Sequence, residues 1–476
     1  MTQEEILSKR HSFWNILSFT FSTLGIGLMS SILRTYLLHF YETVILVEPI
    51  FLIIVNVVYV IWNAINDPLF GYISDKPKRF WKKWGKRFIW IVSSAIPLNI
   101  CLIAVFFPPT QGNLGNSLWY LGSLVIFDSF LTIWTMNYDA LLLEKFRSDK
   151  ERTRVMGIKT IMLQIGFVLG IVIPSLTVDA SQTSNNLNNY LIMTAISAVL
   201  SLTCLGLSIP GLKEDKEMIE FALNSSEGRP NLRDFFRTAA KGFKFKNFRV
   251  FLLAQVIGVM MDTMMFASVP YWSDYLVPSE YTFLGITFRG FEIQILVAVP
   301  YVLGVLALLP FWIWMAKKLG SVTSYKIAIA FYAISLFSLG FATTIELSMI
   351  LMFVNGLASS LFGITFNPVR GAILDEMTLA HKKNDRATYL GIFNFFIILG
   401  TALVTVIILG VHMITGFIPE AEVALQPISA IWGIRAHLGF IPGILLGIVW
   451  IFFILRFELN KTKITEIQIK LAELKL

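Results

Sequence analysis

Residues Trp62–Phe88 read WNAINDPLFGYISDKPKRFWKKWGKRF. The segment opens as an apolar helix carrying Asn63 and Asp67, reaches Asp75, and ends in Lys76, Lys78, Arg79, Lys82, Lys83, Lys86 and Arg87. An apolar run that stops in a dense basic cluster is how a membrane helix enters a cytoplasmic loop, because Lys and Arg are retained on that side during insertion. Asn56, Asn63, Asp67 and Ser74 recur near the helical period of 100° per residue, so they form one polar stripe. Lipid does not tolerate such a stripe, and neighbouring helices or a polar cavity must satisfy it.

The rest of the chain repeats this pattern. Of 476 residues, 55% are hydrophobic and only 15% are charged, with a mean hydropathy of +0.69. Soluble domains carry about 25% charged residues, so a water-soluble enzyme is excluded. Twelve apolar runs reach spanning length: 13–41, 46–75, 87–108, 117–144, 155–178, 189–210, 248–273, 293–316, 322–344, 347–374, 387–414 and 430–457. Six fall on each side of a polar segment at 210–247, which gives an all-α integral membrane fold of two six-helix bundles. The expected division is 1–209, a linker at 210–247, 248–457, and a tail at 458–476 that reads as an amphipathic surface helix. Alternate loops hold the basic residues, so both termini are expected in the cytoplasm, in a multi-pass protein of the plasma membrane.

Several function classes drop out. The longest polar stretch is too short for a nucleotide-hydrolysing domain, and no GxxxxGK[ST] loop occurs. The net charge of +8 has a topological explanation and implies no nucleic-acid partner. Cys101 and Cys204 lie in apolar runs and read as core thiols. The five histidines, His11, His39, His381, His412 and His437, are scattered without metal-ligand spacing, so no metal or cofactor is expected. No cleavable signal peptide is expected at the polar start.

Ionisable side chains inside a membrane cost at least about 2.5–3.5 kcal/mol each and mark functional pathways by default. Those placed within the runs are Arg34, Asp67, Asp128, Asp139, Lys159, Asp262 and Arg370. Asp128, Thr132, Thr135 and Asp139 share one helical face. These acids either pair with the basic residues as structural ion pairs or, where they are in surplus, hold a proton or a cation. The remaining candidates for a polar substrate cavity are Asn56, Gln255, Asn355 and Asn394, with Trp134, Tyr138 or Trp272 as an aromatic platform; Trp134 reads equally as packing.

The opening segment resembles the melibiose-permease-like glycoside–pentoside–hexuronide:cation symporters of the major facilitator superfamily, whose corresponding segment reads approximately WDAxxDPxxGxxSDxT before a basic run. NYDALLLEKFRSDKERTR (Asn137–Arg154), LPFWIWMAKKLG (Leu309–Gly320) and LDEMTLAHKKNDRATYLGIFNF (Leu374–Phe395) are similar to that family's further motifs, in order. The resemblance implies a twelve-helix major facilitator fold and cation-coupled symport by alternating access, with H+ or Na+ as coupling ion and a sugar or glycoside as substrate. The same branch includes sodium-dependent lysophosphatidylcholine symporters, so a lysolipid is the alternative. A non-transporting sensor or scaffold is the alternative of another class. Besides the small-molecule substrate, membrane lipids are the expected partners, and the fold is expected to work as a monomer.

The carried-over cation site is Asn63, Asp67, Thr132 and Thr135, where Asn63 replaces the first of the family's two aspartates. The family's basic position in the fifth helix matches Lys159, but its lysine in the eleventh helix falls on the apolar Ile397 or Ile398. A cytoplasmic gate is expected from Asp75, Lys86, Arg87, Glu144, Arg152, Arg154 and Asp375, with Glu144 pairing with Arg152 or Arg154.

Overall fold

The computed structural model describes residues 11–75, 80–109, 112–146, 149–178, 187–215, 218–220, 241–381, 386–419 and 423–473; the side chains of Ala64, Asp67, Pro68, Tyr72, Asp75, Asp149, Lys150, Thr153, Arg386, Ala387, Thr388 and Ala472 lie outside that description. The chain divides into two compact units, Met1–Pro230 and Asn231–Leu476.

The first unit contains α1 (Phe13–His39, continued by a π turn over Phe40–Val44), α2 (Pro49–Asp75), the single turn α3 (Trp81–Trp84), α4 (Phe88–Val105), α5 (Gly112–Lys145), α6 (Asp149–Thr177) and α7 (Leu187–Leu212). The second contains α8 (Lys246–Tyr275), a hairpin of β1 (Glu280–Phe283) and β2 (Ile286–Arg289), α9 (Ile293–Ala307), α10 (Leu309–Leu319), α11 (Ser321–Leu339), α12 (Ile345–His381), α13 (Arg386–Thr415), α14 (Ile428–Arg435), α15 (Ile441–Arg456) and α16 (Lys461–Glu473). Eleven described segments are long and apolar enough to cross a membrane, and the apolar part of α2, Pro49–Asn63, supplies a twelfth, shorter one.

Two expected helices are interrupted. The run at 293–316 breaks at Leu308, because Pro310 cannot donate the backbone hydrogen bond that would carry α9 into α10. The run at 430–457 is divided by a π turn over Ala436–Phe440, just before Pro442. That wide turn carries His437.

The same pairings recur inside each unit. In the first, α1 packs on α6 and α7, α2 on α5, and α4 on α5 and α7. In the second, α8 packs on α13 and α15, α9 on α12, and α11 on α12 and α15. Helix for helix these are one pattern, an internal structural repeat of the kind that transporter folds are built from. Close crossings depend on small residues, since packing and not water drives helix association in lipid. A Cβ on Gly166 would lie 2.1 Å from the Leu24 carbonyl oxygen, and one on Gly356 would lie 2.1 Å from that of Tyr301. These contacts fix the α1–α6 and α9–α12 crossings.

Candidate functional site

In the first unit the polar site forms where α2 meets α5. Asn66, fully buried, donates from Nδ2 to Asp128 Oδ2 at 2.6 Å and to Thr132 Oγ1 at 2.9 Å. The Asn66 Oδ1 is buried and has no partner among the described residues. Tyr59, two turns earlier on α2, lies within hydrogen-bonding reach of Asp128 and Asn63. Asn56 donates to the Leu52 carbonyl at 2.9 Å and stands near Tyr120. Asp128, Asn66 and Thr132 thus form one hydrogen-bonded group between two helices, with Asn66 Oδ1 left over. Oxygen donors of this kind suit a hard monovalent cation or, on the carboxylate, a proton.

The expected set is therefore only partly drawn together. Asp128 and Thr132 join this network, and Asn63 stands nearby beside Tyr59; Thr135 instead donates to the Thr132 carbonyl at 3.3 Å. Asp67 lies on α2 one residue after Asn66, and its side chain falls outside the described residues. Asn66 is the residue the sequence reading missed. It sits off the stripe of Asn56, Asn63 and Asp67, and the available signal was its place three residues after Asn63, within reach of the same neighbour.

The shared face expected on α5 separates into two environments. Asp128 and Thr132 are buried toward α2, whereas Asp139 is exposed and bonded to Lys159 Nζ at 2.6 Å. Lys159 also lies over the Tyr138 ring at 5.1 Å. For these two residues the ion-pair reading is the one realised. The aromatic platforms are likewise taken. Trp134 stacks on Tyr138 at 4.7 Å, Tyr138 stacks on Phe19 at 4.6 Å, and both belong to the core of the first unit. Trp272 is buried and donates to the Ala342 carbonyl at 2.9 Å. Arg34 lies 6.0 Å from the Phe167 ring centre.

In the second unit, Asp262 accepts a hydrogen bond from Tyr332, and Asn355 donates to Ser335 at 3.1 Å. Gln255 is buried with its Oε1 unpartnered among the described residues, and Asn394 is exposed. Arg370 stands about two-thirds of the way along α12, its guanidinium 4.6 Å from the Phe366 ring centre and Nη2 donating to Asn367 at 2.7 Å. No carboxylate pairs with it among the described residues.

The expected gate is arranged differently from its sequence reading. Glu144 pairs with Arg87, Nε to Oε1 at 3.2 Å, an arginine outside the expected pairing with Arg152 or Arg154. Arg87 also reaches Asn137 at 3.3 Å. Arg152 donates to the Phe146 and Leu143 carbonyls at the end of α5, and Arg154 lies over Phe13. The reason is local: a helix end leaves carbonyls unsatisfied, and Arg152 follows α5 closely enough to fill them. Lys86 lies over the Trp81 ring at 5.4 Å, and Asp375 is partly buried on α12. The Asp75 side chain falls outside the described residues.

The acid that organises the basic run is Glu214, which sequence reading left within the linker. Its carboxylate accepts from three successive backbone N–H groups, Lys86 at 3.0 Å, Arg87 at 2.6 Å and Phe88 at 2.9 Å. Arg87 at the N-cap of α4 offers no capping side chain, so a carboxylate from elsewhere takes that role at the positive end of the helix.

The family described as MFS/sugar transport protein, within the major facilitator superfamily, matches residues 18–461. The chain belongs to this family. A sodium-dependent lysophosphatidylcholine symporter 1 of Gallus gallus is 23% identical over 313 residues, covering 60% of this chain and 56% of that protein. The Homo sapiens protein of the same name is 23% identical over 295 residues, covering 56% and 50%. The chain spans about half the length of the curated relatives it matches. Among solved structures, the nucleoside transporter NupG superposes with a TM-score of 0.60 at 14% identity, covering 94% of this chain and 100% of that one. That likeness shows the fold alone, and it agrees with the family match and with the eleven described segments long and apolar enough to cross a membrane.

Proposed function

We propose that this transporter is a sodium-coupled symporter of a lysophospholipid-class amphiphile. The observation that carries the substrate class is Arg370. A guanidinium on a long apolar helix, steadied by Phe366 and Asn367 and without a carboxylate partner among the described residues, is suited to a phosphate in a fork-like, bidentate contact. A sugar would call for an aromatic platform, and Trp134, Tyr138 and Trp272 are each consumed by packing within their own unit. The names of the relatives support the same choice, as they do for sodium.

The coupling ion is assigned to the α2–α5 network. Asp128 supplies the charge, Asn66 Oδ1 and Thr132 supply neutral oxygens, Asn63 stands nearby beside Tyr59, and Asp67 adjoins the site on α2. The internal repeat supports this placement. The corresponding contact in the second unit, between α9 and α12, is Tyr301 with Ser359 at 3.1 Å, which is neutral. Alternating access would couple the filled ion site to movement of substrate, with Arg87, Glu144 and Glu214 holding the basic-loop side of the first unit.

Purified protein in proteoliposomes under an inward sodium gradient should accumulate lysophosphatidylcholine and leave a labelled disaccharide outside. Sodium-driven uptake of the sugar without the lysolipid would refute the substrate class. Lysolipid uptake indifferent to sodium would refute the coupling ion.

A further inference from the structure

The internal repeat makes α4 and α11 counterparts, since α4 packs on α5 and α7 as α11 packs on α12 and α15. Their approaches match in sequence and in backbone. KKWG (82–85) leads into α4 and KKLG (317–320) into α11. Each glycine closes the helical turn before it, Gly85 N–H to the Trp81 carbonyl and Gly320 N–H to that of Ala316, both at 3.0 Å. Each takes a positive φ, 89° and 86°. The three amides that follow stand at the positive end of the next helix, where intrahelical acceptors run out.

The two units fill this seat differently. In the first, the Glu214 carboxylate accepts from the Lys86, Arg87 and Phe88 amides, so close to Gly85 that a Cβ there would lie 2.5 Å from it. Glu214 stands two residues past the end of α7. The residue two past the end of α15 is also a glutamate, Glu458, but its carboxylate is bonded to Lys246 at the start of α8. Gly320 has no side chain to cap α11, and the Ser321, Val322 and Thr323 amides find no acceptor among the described residues. A lysine lies where the carboxylate would be. Lys461, the first residue of α16, runs its stem past Gly320, with Cβ, Cγ and Cδ at 3.5 to 3.7 Å from the position of an added Cβ. Ser324, fully buried in the first turn of α11, has an Oγ without a partner among the described residues. Helical side chains tilt toward the N-terminus, so this hydroxyl adds a donor beneath the same end.

The charge around the seat has one sign. Between Glu292 and Glu346 the sequence has no acid, and its basic residues are Lys317, Lys318 and Lys326. In the tail, Glu458 is engaged by Lys246, and Glu466 stands more than a turn beyond Lys461. Amides at a helix start, a buried hydroxyl and lysines from two helices suit a phosphate. The flank indicates what carries that phosphate. No residue of α10, which leads into the seat, is buried; Phe311, Ile313 and Trp314 are exposed, and Lys318 lies over the Trp314 ring at 5.1 Å. Aromatic rings beside lysines belong at the membrane–water interface. A phospholipid brings acyl chains that cover such a helix, which free phosphate does not.

We infer that the α10–α11 junction, together with Lys461, binds the phosphate of an anionic phospholipid in the leaflet on the basic-loop side. The lipid supplies to the second unit the anionic cap that Glu214 supplies to the first, and it ties α16 to α11. It is a resident ligand and not the cargo.

The test is hydrogen exchange of the full chain in nanodiscs of phosphatidylcholine alone and of phosphatidylcholine with phosphatidylglycerol. Phosphatidylglycerol should slow exchange about tenfold at the amides of 321–323. The Lys86, Arg87 and Phe88 amides, already capped, should exchange equally in both bilayers. Lys461→Glu, at an exposed position, sets a carboxylate of the chain beside the seat and should abolish the difference between the bilayers. Lys318→Gln should diminish it. Equal exchange of 321–323 in the two bilayers overturns the proposal, as does a phosphatidylglycerol effect that is undiminished in Lys461→Glu. Inorganic phosphate added to the phosphatidylcholine nanodiscs should have little effect; slowing as complete as that by phosphatidylglycerol would overturn the lipid in favour of a free anion. None of these readouts involves transport, so they stand or fall separately from the symport reading.

Discussion

Asp128→Asn is the sharpest test of the α2–α5 site, because it removes one charge and little volume. In the native site Asn66 Nδ2 donates to Asp128 Oδ2 at 2.6 Å, a short, charge-assisted bond, while Asn66 Oδ1 remains for a ligand. An asparagine at 128 still accepts through its own oxygen, so the helix pair should persist. What is lost is the attraction for a cation. A carboxylate about 4 Å from a monovalent ion contributes about 4 kcal/mol at an effective dielectric of about 20. Part of that is offset by desolvation of the carboxylate when the ion is absent, leaving about 2 kcal/mol. At about 1.4 kcal/mol per decade, the sodium concentration for half-maximal uptake should rise about thirtyfold, with the transported substrate unchanged. The assay is initial uptake into proteoliposomes across a sodium series, with Asp67→Asn alongside. Unchanged sodium dependence in a folded Asp128→Asn protein, with loss of dependence in Asp67→Asn, would refute the placement of the charge on α5.

The other predictions concern substrate, packing and the basic-loop side. Arg370→Gln should reduce uptake of a zwitterionic lysolipid about tenfold or more, and Arg370→Lys should rescue it only in part because the planar fork is lost; equal uptake in all three proteins would remove Arg370 from the substrate reading. Gly166→Ala forces a Cβ to within 2.1 Å of the Leu24 carbonyl and should cost about 1–3 kcal/mol as a lowered Tm in detergent. Gly206→Ala meets nothing within 4 Å and should stabilise by about 0.5–1 kcal/mol, so similar shifts at both positions would contradict the close α1–α6 crossing. Glu214→Ala should cost about 1–2 kcal/mol and speed hydrogen exchange at the Lys86, Arg87 and Phe88 amides, and unchanged exchange would deny its capping role. The Glu458 carboxyl is held below its ordinary range by the hydrogen bond and charge of Lys246. That contribution is complete above the ordinary Glu range and is lost as pH falls through the lowered value. The Tm gap between native protein and Glu458→Gln should therefore be present at neutral pH and vanish in acid.

Topology was legible because it rests on one-dimensional quantities. Apolar length, basic loops and the motifs around Trp62–Phe88 are properties of neighbours in sequence, and they carried the twelve-helix, two-unit reading. Contacts between helices were legible only where a face is shared by one kind of partner. Asp128 and Asp139 lie on one helical face of α5, yet one is buried and bonded from α2 and the other is exposed beside Lys159 of α6. The Arg87 partner of Glu144 was not foreseen for a related reason. Arg152 and Arg154 are nearer in sequence, but Arg87 enters from α4, which packs along α5. His412 and His437 could not be paired from spacing at all, because a π turn sets the His437 direction and no local signal announces one.

The internal repeat gives these side chains a common logic. Both units use the same helix pairings, so the backbone alone does not distinguish an ion site from packing. The difference lies in which crossings carry groups that are expensive to bury. The α2–α5 crossing holds a carboxylate against an amide with a spare oxygen, whereas its counterpart, α9–α12, holds a hydroxyl pair that needs no ligand. At α8, α13 and the π turn the second unit holds two imidazoles in contact beside Ser268. A buried acid costs most when its cation has left. Occupancy by the ion would therefore relieve strain within the first unit, which is the differential interaction a ligand needs in order to shift a conformational equilibrium.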